Sequence, residues 1–526
     1  MPVKAYSCLV KGLQAHLIEV EADILPGLAA FTIVGLGDTS VQEAKERIRS
    51  AIKNTSATYP QQKKIINLAP ASLKKHGPIF DLPMAIGILS ASGQISEKFL
   101  QDSLFIGELA LDGKLRPINN TLTIALFAQQ HGWKKLFLPE ENYAEAALIL
   151  SKDHQTNLEI IPVNYLQDLL DHFQKGKQFP PPPLAPASIP LSTPKPEAYL
   201  PQYCLIQGQE LAKRALQISA AGGHHLLFYG PPGVGKTMLA KALIELLPPL
   251  TQAESFEKIQ IYSAAALATP TSAHLTRPFR QIHQNSSLTA LTGGGTNIHP
   301  GEITLAHNGV LFIDEIAEFP RSHLEALRQP LEERVIHLAR SNDKVTLPAN
   351  FTLVAAMNPC PCGFYGDFDQ ICVCSPGHLQ RYQKKISGPI FDRLDLTVSL
   401  GQPQIHHKKL LQLTSAEQIA LLEDFHFIKS SVQTAYQKQL QRYSQQSIKN
   451  NSQLTSQNIW KYLRLNSSAH HYLEMITQKI KLSARSYLHL LKTALTISDL
   501  KNQSEVTNLD LAEAFQFRQN LFSNLH

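Results

Sequence analysis

The chain reads as an α/β protein of several modules, and three features carry that reading. Short apolar β-rich runs alternate with helical patterns from residue 1 to about 175, a proline-rich stretch follows, and a second α/β block opens with a glycine-rich phosphate loop. At 526 residues the chain is long enough for two or three separate cores.

In the first module, residues 1–175, Ser40 with Glu43 predicts a capping box for the helix SVQEAKERIRSAIKN. Asp112 and Gly113 supply turn chemistry between IGELAL and KLRPI. Residues 176–203 carry Pro180 to Pro183, Pro186, Pro190, Pro194, Pro196 and Pro201, which predict an extended linker. Residues 204–400 hold the apolar strands LLFY, VLFID and FTLVAAM of a parallel sheet. Residues 401–526 are predicted helical, with SARSYLHLLKTALTISDL and TNLDLAEAFQFR behind Ser and Thr caps as in a small lid bundle. Between strands and bundle, QTAYQKQLQRYSQQSIKNNSQLTSQ is rich in Gln, Asn and Ser and reads as a solvated connection.

Composition narrows the function classes. No run approaches the roughly 18 apolar residues of a membrane span, and the N-terminus lacks the apolar block of a secretory signal, so a cytoplasmic protein with no membrane partner is expected. A net charge of +6 and a pI near 8.8 permit a polyanionic partner without requiring one. Cys360, Cys362, Cys372 and Cys374 cluster, which points to metal ligation rather than a disulfide framework.

The chemistry is written most densely in GPPGVGKT, which follows the strand HLLFY and precedes the helical MLAKALIELL. Gly230, Pro231, Pro232, Gly233, Val234 and Gly235 form a loop whose amides can face the phosphates of ATP, helped by the positive end of the next helix. Lys236 is expected on the β and γ phosphates and Thr237 on a magnesium ion. GVLFIDE then puts Asp314 and Glu315 at the end of a strand, where Asp314 positions magnesium and Glu315 orients or deprotonates the attacking water. Asn358, ending FTLVAAMN, is placed to sense the γ phosphate. Arg485 projects from a helix start behind Ser483 and can reach back to the phosphates, whereas Arg393 in GPIFDRLDL suits a neighbouring subunit's nucleotide.

Taken together, GQELAKRAL, GPPGVGKT, RPFR, PGEITLAHNGVLFIDE, LRQPLE, MNPCPCGFYGD, SGPIFDRLDL and LSARSYLHLLKTALTISDL closely resemble the ComM/YifB family of magnesium-chelatase-like AAA+ proteins. The resemblance covers nearly the whole chain. It implies a homo-hexameric ring with an AAA+ core and helical lid, and a DNA helicase and branch-migration activity on single-stranded, double-stranded or branched DNA during natural transformation. It also assigns Gly208 and Gln209 to the box flanking the nucleotide, Arg393 to the finger and Arg485 to the second sensor. The first module resembles the Lon-type proteolytic domain but is disarmed. Gly77, Pro78, Ile79, Phe80 and Asp81 offer no hydroxyl or thiol, and NNTLTIALF offers no partner amine.

Two loops are candidate DNA contacts. LTGGGTNIHPGE, from Leu291 to Glu302, has a triple glycine, and VIHLARSNDKVTL alternates like a hairpin with Arg340 and Lys344 near its tip. Arg277 and Arg280 in RPFR are further candidates, or they brace the loop through local acids. The four cysteines form two Cys-x-Cys pairs and predict one structural zinc with thiolates at about 2.3 Å, the alternatives being buried free thiols or a redox switch. Losing that ion is expected to disturb assembly or DNA contact before it touches the phosphate loop. Two rival functions remain: a magnesium-chelatase-type ATPase subunit driving metal insertion, and a Lon-type protease, which lacks its dyad.

Overall fold

The computed structural model describes residues 2–150, 157–180, 200–267, 276–295, 298–340, 343–366, 370–385, 388–401, 414–446, 448–479 and 482–518. Most of the expected proline-rich linker lies outside the described residues. The chain forms two compact units, residues 1–193 with 259–272, and residues 194–258 with 273–526. Inclusion of 259–272 in the first unit is not visible in the sequence. Its Ser263 hydroxyl accepts the Asn120 amide at 2.7 Å.

The first unit is built on a seven-stranded mixed sheet. In chain order its strands are β1 Val3–Lys11, β2 Gln14–Leu25, β3 Phe31–Val34, β4 Lys63–Ala69, β5 Ser103–Phe105, β6 Lys135–Pro139 and β7 Glu159–Val163, and their spatial order is β3-β4-β2-β1-β5-β6-β7. Alternation of buried and more exposed residues in β4 and in the first half of β1 follows the period-two pleat. The turn at Asp112-Gly113 joins Glu108–Leu109 to Leu115–Arg116, with Gly113 at a φ of 85°. The helix Thr39–Lys53 corrects the predicted cap. Asp38, not Ser40, is the N-cap, and its carboxylate accepts the Val41 amide at 2.9 Å. A carboxylate is the stronger acceptor for an orphan helix-start amide, and a second oxygen of Asp38 also accepts the Gly77 amide.

The second unit contains a five-stranded, wholly parallel sheet: β8 Leu226–Tyr229, β9 Phe279–Ile282, β10 Val310–Ile313, β11 Thr352–Met357 and β12 Leu396–Ser399, in the order β9-β10-β11-β8-β12. Strands β8, β10 and β11 are buried apolar runs, as strands covered on both faces require, whereas the edge strand β9, FRQI, is only partly buried. Register places Tyr229 opposite both Met357 and Ser399, and Ile313 opposite Ala355. The residues that follow these strands, 230 onward, Asp314 and Asn358, therefore leave the sheet along one carboxyl edge.

The polar stretch after the sheet is not a solvated connection. The helix Ser415–Arg442 runs through its first half, and Gln439 is fully buried. Gln439 donates to the Ala221 carbonyl at 3.1 Å and accepts the Asn451 amide at 2.8 Å, while Asn451 donates to Thr496 and Asp499. Amide side chains that satisfy one another this completely can be buried, so composition alone misleads. Replacing Gln439 with Ala orphans both buried backbone partners and should destabilise the second unit by about 2–4 kcal/mol. Denaturant unfolding measures this, and a loss below about 0.5 kcal/mol would contradict the network's role.

Candidate nucleotide-binding site and cysteine cluster

The loop after β8 turns into the helix Lys236–Leu246 through Gly233 and Gly235, at φ of 82° and 88°. Left-handed backbone of this kind favours glycine. A Cβ built at either position meets nothing within 4 Å, so bare backbone faces open space there, which leaves room for a phosphate chain. The Lys236 amine donates to the Gly230 carbonyl at 2.7 Å, the Pro231 carbonyl at 3.1 Å and Asn358 Oδ1 at 2.7 Å. The predicted sensor asparagine and the loop lysine thus meet, although 122 positions separate them.

Asp314 Oδ2 accepts the Thr237 hydroxyl at 3.4 Å, and Asp314 Oδ1 accepts the Glu315 amide at 2.9 Å. Glu315 itself has a φ of 49°, an uncommon conformation for this residue type. A hydroxyl and a carboxylate so close offer the hard oxygen donors that magnesium takes. At the flank, Gly208 and Gln209 are both left-handed, and the Gln209 side chain donates to the Gly401 carbonyl at 2.8 Å, tying this box to the end of β12.

The two arginines expected to serve different nucleotides lie together instead. Glu332 Oε1 accepts Arg393 Nη2 at 2.6 Å and also pairs with Arg485 Nη2. Ser483 caps the helix Ala484–Leu500 that presents Arg485, accepting the Ser486 amide at 3.1 Å. Glu332 lies in LRQPLE, a motif to which sequence reading attached no role.

Arg277 and Arg280 are engaged internally. Arg277 donates to the Pro248 and Asn308 carbonyls at 2.6 and 2.7 Å and to Glu254 at 3.1 Å, and Arg280 forms a bidentate pair with Glu302 at 2.6 Å. Both therefore brace the loops around β9, the role that sequence reading had set beside DNA contact. The glycine loop is a small hairpin in which Gly293 and Gly294 pair with Pro300 and His299. Arg340 and Lys344 belong to the paired strands Val335–Arg340 and Asp343–Pro348, whose tip lies outside the described residues, and Lys344 is exposed.

Cys360, Cys362, Cys372 and Cys374 converge, with their sulfurs all within 4.8 Å of one another. Separations of 3.2, 3.7 and 3.5 Å among the first three come close to the roughly 3.8 Å edge of a tetrahedron with 2.3 Å metal–sulfur bonds. The backbone amide of Phe364 pulls the Cys362 thiol down to about 6, which favours the thiolate. This cluster is not remote from the phosphate loop. A Cβ on Gly363 would lie 2.7 Å from Pro232, so the cysteine loop packs directly on it. The expectation that ion loss disturbs assembly or DNA contact before it touches the phosphate loop did not include this contact.

Residues 203–409 match the family described as magnesium chelatase, subunit ChlI. Residues 20–142 match subunit ChlI of Mg-chelatase, and 423–518 the ChlI C-terminal family. Competence protein ComM of Haemophilus influenzae is 39% identical over 527 residues, spanning 98% of this chain and 96% of that protein. This chain belongs to the ComM/YifB family of magnesium-chelatase-like AAA+ proteins. Another ComM/YifB relative, YifB of Escherichia coli, is 39% identical over 515 residues, covering 96% of this chain and 95% of that one. Lon protease 2 of Bacillus subtilis is 29% identical over 201 residues, a third (33%) of this chain and 36% of that protein. No described helix is long and apolar enough to cross a membrane.

Burial pulls the Lys236 amine down to about 8, against the opposing pull of Asp314 and Glu315. Only the protonated amine attracts phosphate. ATP affinity should therefore hold below pH 8 and fall above it, approaching about tenfold per pH unit. Titrating a fluorescent ATP analogue between pH 7 and 9.5 tests this, and a flat profile would count against the lysine's role.

Proposed function

We propose that this chain is an ATP-hydrolysing, ring-forming motor acting on DNA. The observation that carries the reading is the meeting of Lys236, Thr237, Asp314 and Asn358 along the carboxyl edge of one parallel sheet. Bare amides at Gly233 and Gly235 would hold the phosphates, Lys236 would offset their charge, and Thr237 and Asp314 would hold magnesium. Held by Thr237 and Asp314, magnesium would supply charge neutralisation for phosphoryl transfer. Glu315 would take the proton from the attacking water and Asn358 would orient that water. Arg393 and Arg485 would stabilise the transferring phosphoryl group, which makes ring assembly, as a homo-hexamer, a condition of activity.

A relative named as a competence protein supports a competence-associated role; DNA as the partner, helicase and branch-migration work in natural transformation as the specific activity, and the cytoplasm as its site are part of the proposal. Lys344 and Arg340 on the hairpin and the glycine loop are the proposed contacts, since phosphate grip needs cations and amides rather than a sequence code. A chelatase-type metal-insertion ATPase is the second reading, favoured by the ChlI description of all three matched families. Proteolysis is disfavoured because residues 77–81 offer no hydroxyl, and the Asp81 carboxylate is buried and taken up by Arg47 at 2.6 Å.

Three outcomes test the proposal. Lys236→Ala should abolish ATP binding, whereas Glu315→Gln should bind ATP and stall hydrolysis; equal loss of binding in both would sink the assignment. ATPase activity of the parent should rise with single-stranded or branched DNA, and DNA affinity should drop steeply between low and physiological salt. Indifference to DNA would favour the chelatase reading.

The cysteine cluster is proposed to hold one structural zinc, four thiolates forming a closed site. Elemental analysis should find near-stoichiometric zinc that a Cys372→Ser, Cys374→Ser variant loses. Because Gly363 abuts Pro232, the variant should also bind ATP more weakly, and a metal-free, fully active parent would end the proposal.

A further inference from the structure

Three cations gather where the segment before β12 meets the helix Ala484–Leu500. Arg328 is matched by Glu325 at 2.7 Å, but Arg393 and Arg485 share the single carboxylate of Glu332 and even the same oxygen. Two guanidinium groups converging on one carboxylate oxygen put two sets of donors at one point, an arrangement that suits a polyanion. Arg393 is 7% exposed, so its charge cannot turn to water for compensation, whereas Glu332 at 42% remains open to exchange. Burial and the neighbouring Arg485 and Arg328 charges push Arg393 down from its usual value, with Glu332 opposing them. Without that carboxylate, two like charges would sit side by side and separate.

Behind the arginines, the backbones that carry them are tied twice more. Asp395, two residues after Arg393, pairs with His489, one helical turn after Arg485. Arg518 bridges the Leu394 carbonyl and the Ser486 hydroxyl, the latter at 2.8 Å. Segment and helix are thus held as one piece, and Glu332 sets where their two guanidinium groups converge.

We propose that Glu332 is a positioning residue for ATP hydrolysis, gathering Arg393 and Arg485 into one two-arginine receptor for a single polyphosphate. The proposal rests on the ATPase reading above and adds to it a residue with no contact to the loop that binds nucleotide. When the phosphate arrives, its oxygens share or replace the Glu332 oxygen on the same two donors.

Steady-state ATPase of the full-length protein with Glu332→Gln, Glu332→Asp, Arg393→Ala and the Glu332→Gln, Arg393→Ala double variant tests it, with binding of a fluorescent ATP analogue measured in parallel. Glu332→Gln should lower kcat by about 10- to 100-fold, the scale of a misplaced catalytic group, while ATP affinity stays within about twofold. Glu332→Asp should restore part of the rate, and the double variant should be no slower than Arg393→Ala alone. A kcat for Glu332→Gln within about twofold of the parent, or losses that multiply in the double variant, would overturn the proposal. A collapse of ATP affinity in Glu332→Gln would overturn it too, since that marks a structural role. If Arg393→Ala retains full activity, the arginine assignment itself fails, a result distinct from failure of Glu332.

Discussion

A carboxylate placed in a protein interior must be surrounded by donors, and Asp395 meets that demand in a way that organises the second unit. It is 2% exposed. One oxygen accepts the His225 amide at 2.8 Å, and the other pairs with His489 and lies 3.5 Å from His224 Nδ1. Burial alone would raise its pKa, yet His489 and His224 outweigh that cost and hold it well below the usual carboxylate range. Because His225 directly precedes β8, Asp395 directly precedes β12 and His489 lies in the helix Ala484–Leu500, this one group joins the phosphate-loop strand, the strand after the arginine and that helix. His225 extends the joint to β11, since its Nδ1 accepts the Leu353 amide, which requires a neutral ring; burial keeps it neutral by pulling its pKa down to about 3.

From that joint the site inherits its geometry. Adjacent parallel strands carry the phosphate loop and Asn358 out along the same edge, and the Lys236 amine closes the gap between them. The cysteine loop begins two residues after Asn358 and comes back against Pro232, so the same strand end bears on the nucleotide loop from two directions. The proposed metal, in this arrangement, would stiffen a wall of the proposed nucleotide site. A short irregular loop rich in glycine has little core of its own, and four thiolates on one ion would supply what packing does not.

Buried polar groups recur through the helical part, and a connected set of them is matched. Asp499 accepts from Arg442 and Asn451, Thr496 from Asn451, and Gln439 bridges two backbones. Such networks specify one arrangement of helices, since any slip would orphan several groups at once. That specificity matters for Arg485, whose placement depends on the register of the helix Ala484–Leu500.

Much of this was legible in the residues alone. The α/β class, the phosphate loop between strand and helix, the acidic pair after VLFI, the Ser483 cap and the cysteine cluster follow from local rules of period, capping and ligand chemistry, which act over a few residues. What the residues could not disclose depends on pairing across long separations. Gly363 against Pro232, Arg393 and Arg485 on Glu332, Asp395 between three elements, and Gln439 buried in a stretch that looks solvated are set by strand order and register. The shift of residues 259–272 into the first unit is of the same kind. Local preference decides which elements form; the cost of burying a charge or amide without a partner favours the pairings by which they meet, and those pairings exist only in the folded chain.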